Sequence, residues 1–321
     1  MSVTLAQAQK LTQDKLSQQI INEFRKDPLF EMMIFDDCVS LNGGSTLNYV
    51  YNRVTTQATA AFRSINSEYT PQESEPTQIT ATLKPFGGSF QLDRIIANDV
   101  KGITSQVSFQ LEQKIQAAKS LFSDTFINGD SAIDSKAFDG INKAVTGSST
   151  EKTPSAAIDI STSANMTTNG NILLDELDLM LSNMSGTPDA ILMNAKLKAI
   201  FNGLARRSGY FSTSDVDSFG KPVTKYQGIP LVALGDKPGT ANPIIPVSLN
   251  EGSLGETSLY AVRIALDGTH SVTPSGTSVI NQYLPDFKTP GAVKTGEVEM
   301  VAAVVVKATK SIAALRKIKV Q

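Results

Sequence analysis

The chain has 321 residues, enough for about two domains and a sizeable core. Its 29 Lys and Arg nearly cancel its 31 Asp and Glu, a formal net charge of -2, which excludes a molecule-wide field that would draw it onto nucleic acid or an anionic membrane. Hydrophobic residues at 40% and charged residues at 19% are ordinary globular material, and the absence of Trp beside plentiful small polar residues favours sheet and loop.

Residues 4 to 26 place Leu16, Ile20 and Phe24 four apart on one face, the spacing of an amphipathic helix that Asp27-Pro28 ends. This segment reads as an arm. A Gly43-Gly44 break leads into "STLNYVYNRVTTQATAAFRS", and the later "TQITATLKPF" alternates Ile79, Ala81 and Leu83 against Gln78, Thr80 and Thr82, as a strand with two distinct faces does. Between them "INSEYTPQESEPT", residues 65 to 77, is polar and punctuated by Pro71 and Pro76, so it reads as a loop tip. The three pieces predict a long two-stranded ribbon. Two strands alone are marginal in water and leave both edges unpaired, so the ribbon needs something to lie on. If no other part of the chain covers it, the neighbour is another molecule.

Val100, Ile103, Val107, Leu111, Ile115, Ala118, Phe122 and Phe126 then step by three or four, predicting one long helix with a single apolar seam. Asp99 is placed to cap its start and Asn128-Gly129 to stop it, giving a rod of roughly 40 Å at ~1.5 Å per residue. The Gly-, Ser- and Thr-rich stretch 138 to 171 reads as a domain junction. A stripe of Leu173, Leu174, Leu177, Met180, Leu181 and Met184 predicts another helix, "PDAILMN" (188 to 194) a short buried strand, and Asn194 the cap of a further helix. "YQGIPLVAL" (226 to 234) and "SLYAVRIAL" (258 to 266) read as strands. The final stretch, 296 to 321, is a strongly β-branched strand that breaks near Lys310 and resumes, returning the C-terminus to the core.

No catalytic constellation emerges. The lone histidine, His270, lies in the turn-like "DGTHSV" and is expected as a solvated loop residue, with no "GxSxG" elbow to accompany it. One His and one Cys do not supply a usual zinc ligand set. Asp175, Glu176 and Asp178 sit early in a predicted helix, where acids favour the dipole and face water. Phosphate-binding glycine motifs are absent, and Arg316, Lys317 and Lys319 read as a solvated strand end. Cys38 follows Asp36 and Asp37, whose charge would raise a thiol pKa; as the single cysteine it permits no intrachain disulfide, which points to a reducing compartment. The N-terminus lacks a signal-peptide layout, and the longest apolar run, "MVAAVVV", falls far short of the roughly 20 residues that span a bilayer.

The order of elements carries a resemblance. An arm, a ribbon, "KPFGGSFQLDRIIAND" leading into a long helix that ends "FINGD", "FDGI" soon after, "DAILMN", "YQGIPLV" and a terminal "VVVKATKSIAALRKI" together resemble the major capsid protein of tailed bacteriophages with the HK97 fold. The likeness spans nearly the whole chain and rests on the set in sequence, not on any one motif.

The resemblance implies an α+β fold with an N-terminal arm (1-43), an extended β-hairpin loop (44-83), a peripheral domain built on the long spine helix (84-155 and 287-321) and an axial α/β domain (156-286). It implies a non-enzymatic, cofactor-free subunit that self-assembles into hexamers and pentamers of an icosahedral head around double-stranded DNA. Further partners would be a portal protein and either separate scaffolding or decoration proteins or none; the setting would be the virion, assembled in the host cytoplasm, with no membrane. Inter-subunit contacts are expected at Tyr49, Tyr51, Phe62, Arg63, Tyr69, Ile79 and Leu83. Some members of the family bond an extended-loop lysine to a neighbour's asparagine, but residues 44 to 83 contain no lysine, so no crosslink is expected there. Nothing at the start resembles a built-in scaffolding segment, and an uncleaved arm is expected. Two rival readings are an encapsulin, which shares the fold but encloses an enzyme, and a small-molecule-binding α/β enzyme whose site converges only in space.

Overall fold

The computed structural model describes residues 28-39, 47-54, 58-71, 73-98, 106-208, 215-216, 222-249, 254-276 and 278-321. The expected arm helix and the Asp99 cap lie outside these residues.

The chain begins with a short helix α1 (Leu29–Met32) and a strand β1 (Phe35–Val39). The ribbon follows as β2 (Asn48–Val54) and β3 (Pro76–Thr82), paired antiparallel from Asn48↔Thr82 to Val54↔Pro76 and, among the described residues, hydrogen-bonded to no other strand. Residues 58 to 71 lack regular structure, so the ribbon's strands are shorter than the alternating sequence suggests. Leu83 breaks the run before β4 (Lys84–Asp93), which leads through α2 (Arg94–Asn98) to the long helix α3 (Gln106–Asn128). Its buried seam includes Ala118, Phe122, Phe126 and Ile127. The helix stops where the sequence says, because a Cβ on Gly129 would lie 2.2 Å from the Phe138 carbonyl oxygen and 2.5 Å from that of Thr125. Only glycine lets the chain turn there.

After α4 (Ile141–Val145), β5 (Glu151–Lys152) and β6 (Ile158–Asp159) come α5 (Ser163–Ser182), β7 (Ala190–Met193) and α6 (Ala195–Ser208). Asn194 does cap α6: its Oδ1 accepts the Leu197 backbone N–H at 2.8 Å. The remaining strands are β8 (Asp215–Val216), β9 (Pro222–Val223), β10 (Lys225–Tyr226), β11 (Ile229–Ala233), β12 (Glu256–Val262), β13 (Thr269–Pro274), β14 (Asn281–Tyr283), β15 (Val293–Val306) and β16 (Ile312–Lys319). Gln227 and Gly228, with φ of 49° and 83°, make the tight turn that pairs β10 with β11.

Two sheets organise the body. The first runs β1-β13-β15-β14, with β4 laid along β15 from Val293↔Asp93 to Ala302↔Lys84. The second runs β10-β11-β7-β12-β16-β5, with β6 also on β16, and α5 and α6 pack on it through Leu173, Leu177, Met180, Leu197 and Phe201. Helix α3 crosses the first sheet, and its Phe122 centres an aromatic cluster with Phe30, Phe35, Phe86, Phe126 and Phe138 at centroid separations of 5.5 to 6.4 Å.

Strand pairing joins segments on both sides of the expected boundaries. β16 lies in 287-321 yet belongs to the sheet of β7, β11 and β12, and β13 lies in 156-286 yet pairs with β15. The terminal apolar stretch breaks near Lys310, as the sequence suggests, and its two halves join different sheets. It leaves the first sheet at Val306, turns through a 3₁₀ segment (Thr309–Ser311) and enters the second at Ile312. Both halves are apolar because both are buried, so hydropathy gave no sign of the change of sheet.

Candidate functional site

The ribbon has two faces of different fate. Tyr49, Tyr51, Arg53, Ile79 and Ala81 alternate onto one side and are half-buried, while Val50, Asn52 and Val54 on the other are exposed. The inner face is held by its own body. Tyr51 donates its hydroxyl to the Val306 carbonyl at 3.0 Å, and Arg53 donates to the carbonyls of Val306 and, at 2.9 Å from Nε, Lys307. These acceptors sit where the chain crosses from one sheet to the other. Burial raises the Tyr51 pKa, with the Arg53 charge opposing it, so the phenol stays a donor.

Three of the expected inter-subunit residues are thus intramolecular anchors. Leu83 is 1% exposed within the main core, and Tyr49 and Tyr51 pack against that core. The ribbon root is covered by its own chain, so the need for a neighbour falls on the part beyond it. Ile79 stands at the root beside Tyr51, its register partner. The tip is another matter. Phe62, Ile65 and Tyr69 are exposed, Phe62 completely. Arg63 stacks over Tyr69 with its guanidinium 5.2 Å from the ring centroid and donates to the Ser67 carbonyl at 3.2 Å, so the tip has local order without cover.

Between the ribbon root, the 131-144 segment and the end of β15 lies a cleft of about 570 Å³. Ile79, Ala81, Phe138 and Val304 give it apolar walls; Arg53, Lys84 and Lys143 bring positive charge. Lys143 is neutralised by Asp130 at 2.7 Å and Asp139 at 2.9 Å, and the hydrogen bond to Asp130 holds that carboxyl low and the ammonium high. Lys84 instead donates to the Ser135 carbonyl at 2.8 Å, and among the described residues neither it nor Arg53 meets a carboxylate. Sequence reasoning missed the cleft because its walls come from segments far apart in the chain.

No family model matches the chain, and no curated protein matches it. Solved structures do. The holo-SrpI encapsulin complex from Synechococcus elongatus aligns over 100% of this chain and 98% of its own with a TM-score of 0.66 at 15% identity. The capsid of a native GTA particle aligns over 96% of both chains with a TM-score of 0.64 at 12% identity. The capsid of Myoviridae phage XM1 aligns over 98% of this chain and 99% of its own with a TM-score of 0.55 at 11% identity. The chain has the HK97 fold.

Within the HK97 fold other sequence-level candidates take structural places. His270 is not a solvated loop residue: it is fully buried on β13, both ring nitrogens lack a hydrogen-bond partner, and its ring meets Tyr49 edge-on at 6.2 Å. Burial, reinforced by the Lys307 charge and opposed by Asp36, lowers its pKa. Burial and the neighbouring Asp36 push the Cys38 thiol up to about 11, so it is a poor nucleophile. Glu176 pairs with Lys152 at 3.3 Å, and Asp178 accepts from Tyr226 and Gln227. Arg316 pairs with Glu151 at 3.0 Å and Lys319 with Asp159 at 3.3 Å, so two of the three terminal cations are engaged rather than simply solvated. Among the described residues no group of three potential metal ligands converges, and no helix is long and apolar enough to cross a membrane.

Proposed function

We propose that this chain is a shell subunit, the major capsid protein of a tailed phage, whose copies form hexamers and pentamers of an icosahedral head around double-stranded DNA. The observation that carries the reading is the ribbon: a two-stranded projection anchored at its root, with an apolar tip at Phe62 and Ile65 that its own body leaves bare. An exposed apolar projection of this kind marks a protein interface. The full-length likeness to capsids and an encapsulin supports it. Each contact can be weak, because a closed shell multiplies many contacts and lets misplaced subunits leave. The peripheral and axial division, the portal, the scaffolding or decoration partners and the virion location belong to this proposal.

A second reading, an encapsulin-like compartment, is favoured by the encapsulin alignment over the whole chain. Negative-stain imaging of purified protein, followed by analysis of the particle contents, tests both. Shells containing nucleic acid support the capsid, shells containing a cargo protein support the compartment, and a lone compact particle with turnover overturns both in favour of an enzyme. Deleting residues 65 to 76 should leave a folded subunit with little shell yield.

A further inference from the structure

We infer that the cleft at the ribbon root is a binding site for a small organic anion, its oxyanion group held by Arg53 and Lys84 and its apolar portion covered by Phe138 and Val304. The site lies within one chain and stands or falls independently of the shell reading.

The donors are already in place. Arg53 donates from Nε to the Lys307 carbonyl at 2.9 Å, and from Nη2 to the Val306 carbonyl and, at 3.3 Å, the Tyr51 hydroxyl. Three bonds hold the guanidinium still, and among the described residues its Nη1 has no partner. Lys84 spends one of the three donors of an ammonium on the Ser135 carbonyl at 2.8 Å and keeps two. The hydroxyls of Ser135 and Thr309 line the same cleft, also without a partner among the described residues. Donors fixed before the ligand arrives lose little freedom on binding it.

Charge and size narrow the class. Lys143, the third cation of the lining, is matched by Asp130 and Asp139 and also meets Ser131 Oγ at 3.3 Å, so it adds no free donor. Arg53 and Lys84 therefore carry the cleft's attraction for an anion. Asp139 lines the cleft too and repels a ligand bearing many charges, which favours a single anionic group over a polyanion. The volume of about 570 Å³ lies within the range of roughly 300–1,000 Å³ usual for small-molecule sites, and an inorganic ion would leave most of it empty. Apolar walls fill that remainder with matching surface and strengthen the charge-assisted bonds beside them. Position adds a consequence. Arg53 belongs to the ribbon strand β2 and Lys84 to the start of β4, so a ligand held by both ties the ribbon to the body.

The test titrates the full-length chain with acetate and with benzoate at constant ionic strength, by calorimetry. One site per chain is expected, with benzoate about tenfold tighter because its ring covers apolar wall that acetate leaves bare. Lys84→Gln should weaken both about tenfold, the loss of a hydrogen bond to a charged group, and Lys84→Arg should restore them. Lys136→Gln, on the same exposed segment but outside the cleft lining, should change neither. Saturating benzoate should also slow hydrogen exchange in β2 and β3 of the unsubstituted chain, a readout that needs no variant to fold. Absence of binding, equal affinity for the two anions, or binding untouched by Lys84→Gln would each overturn the assignment. Displacement of benzoate by a poly-glutamate peptide at lower concentration would overturn the small-molecule class and give the cleft to an acidic protein segment.

Discussion

Tyr51 on the ribbon donates its hydroxyl to the main-chain carbonyl of Val306, 255 residues further along the chain and 3.0 Å away. That one contact joins the projection to the point where the chain leaves the first sheet for the second. Two strands that would be marginal alone are thereby seated on the junction between the sheets.

Removing that anchor should loosen the ribbon without unfolding the body. Tyr51→Phe keeps the ring and deletes the donor, leaving the Val306 carbonyl with Arg53 as its remaining side-chain partner. The expected loss is about 1 kcal/mol, the net worth of an ordinary intramolecular hydrogen bond. Hydrogen exchange should quicken in β2 and β3 and stay unchanged in α3. Equal loss of protection in both would show that the ribbon is not a separable unit.

Acid should attack the same seat. His270 lies beneath Tyr49 with neither nitrogen bonded, faced by the cation Lys307 and by the carboxyl of Asp36. Its folded pKa lies below the ordinary 6.5, so the unfolded chain binds the proton more readily. The stability from keeping this ring neutral is fully present above about pH 6.5 and is lost as pH falls toward the folded pKa. His270→Phe should flatten the acid side of the stability profile, read by thermal melts between pH 7 and pH 5 on the approximate scale where a free histidine titrates. An unchanged slope would show that other groups set acid sensitivity.

The end of α3 offers a steric test. Gly129→Ala would drive a methyl against the carbonyl oxygens of Phe138 and Thr125 at 2.2 and 2.5 Å, and backbone cannot swing aside as a side chain can. We expect a loss on the order of 2 kcal/mol or more, because the turn that brings Phe138 onto Phe122 must shift. Chemical denaturation measures it. A loss below about 0.5 kcal/mol, the ordinary scale for neutral surface changes, would mean the turn relaxes freely.

Features fixed by near neighbours in the chain were legible in the sequence. The Asn194 cap, the Gly129 stop and the alternating faces of β3 each depend on residues a few positions away. Features fixed by distant partners were not. β13 reads "THSVTP", polar enough to pass for a turn, and is buried only because β1 and β15 flank it. Leu83 and Phe62 are both apolar ribbon residues, yet one is sealed under the body and the other is bare; alternation along a strand says which side a residue is on and not what covers that side. The cleft was invisible for the same reason, since Arg53, Lys84 and Phe138 meet only after folding.

A last expectation concerns covalent chemistry between subunits. Residues 44 to 83 lack lysine, so neither the tip nor the ribbon strands carry an amine able to form an isopeptide bond with a neighbour's side chain. The nearest one, Lys84, sits at the start of β4 and spends a donor on the Ser135 carbonyl at its own subunit's cleft rim. Its reach is inward, and the tip that would lie on the adjacent subunit has no amine to offer. Particles assembled from this chain should therefore run as single chains on denaturing electrophoresis, however long they are stored. A ladder of covalent oligomers would refute this, and a ladder that vanished in Lys84→Arg would identify the amine responsible.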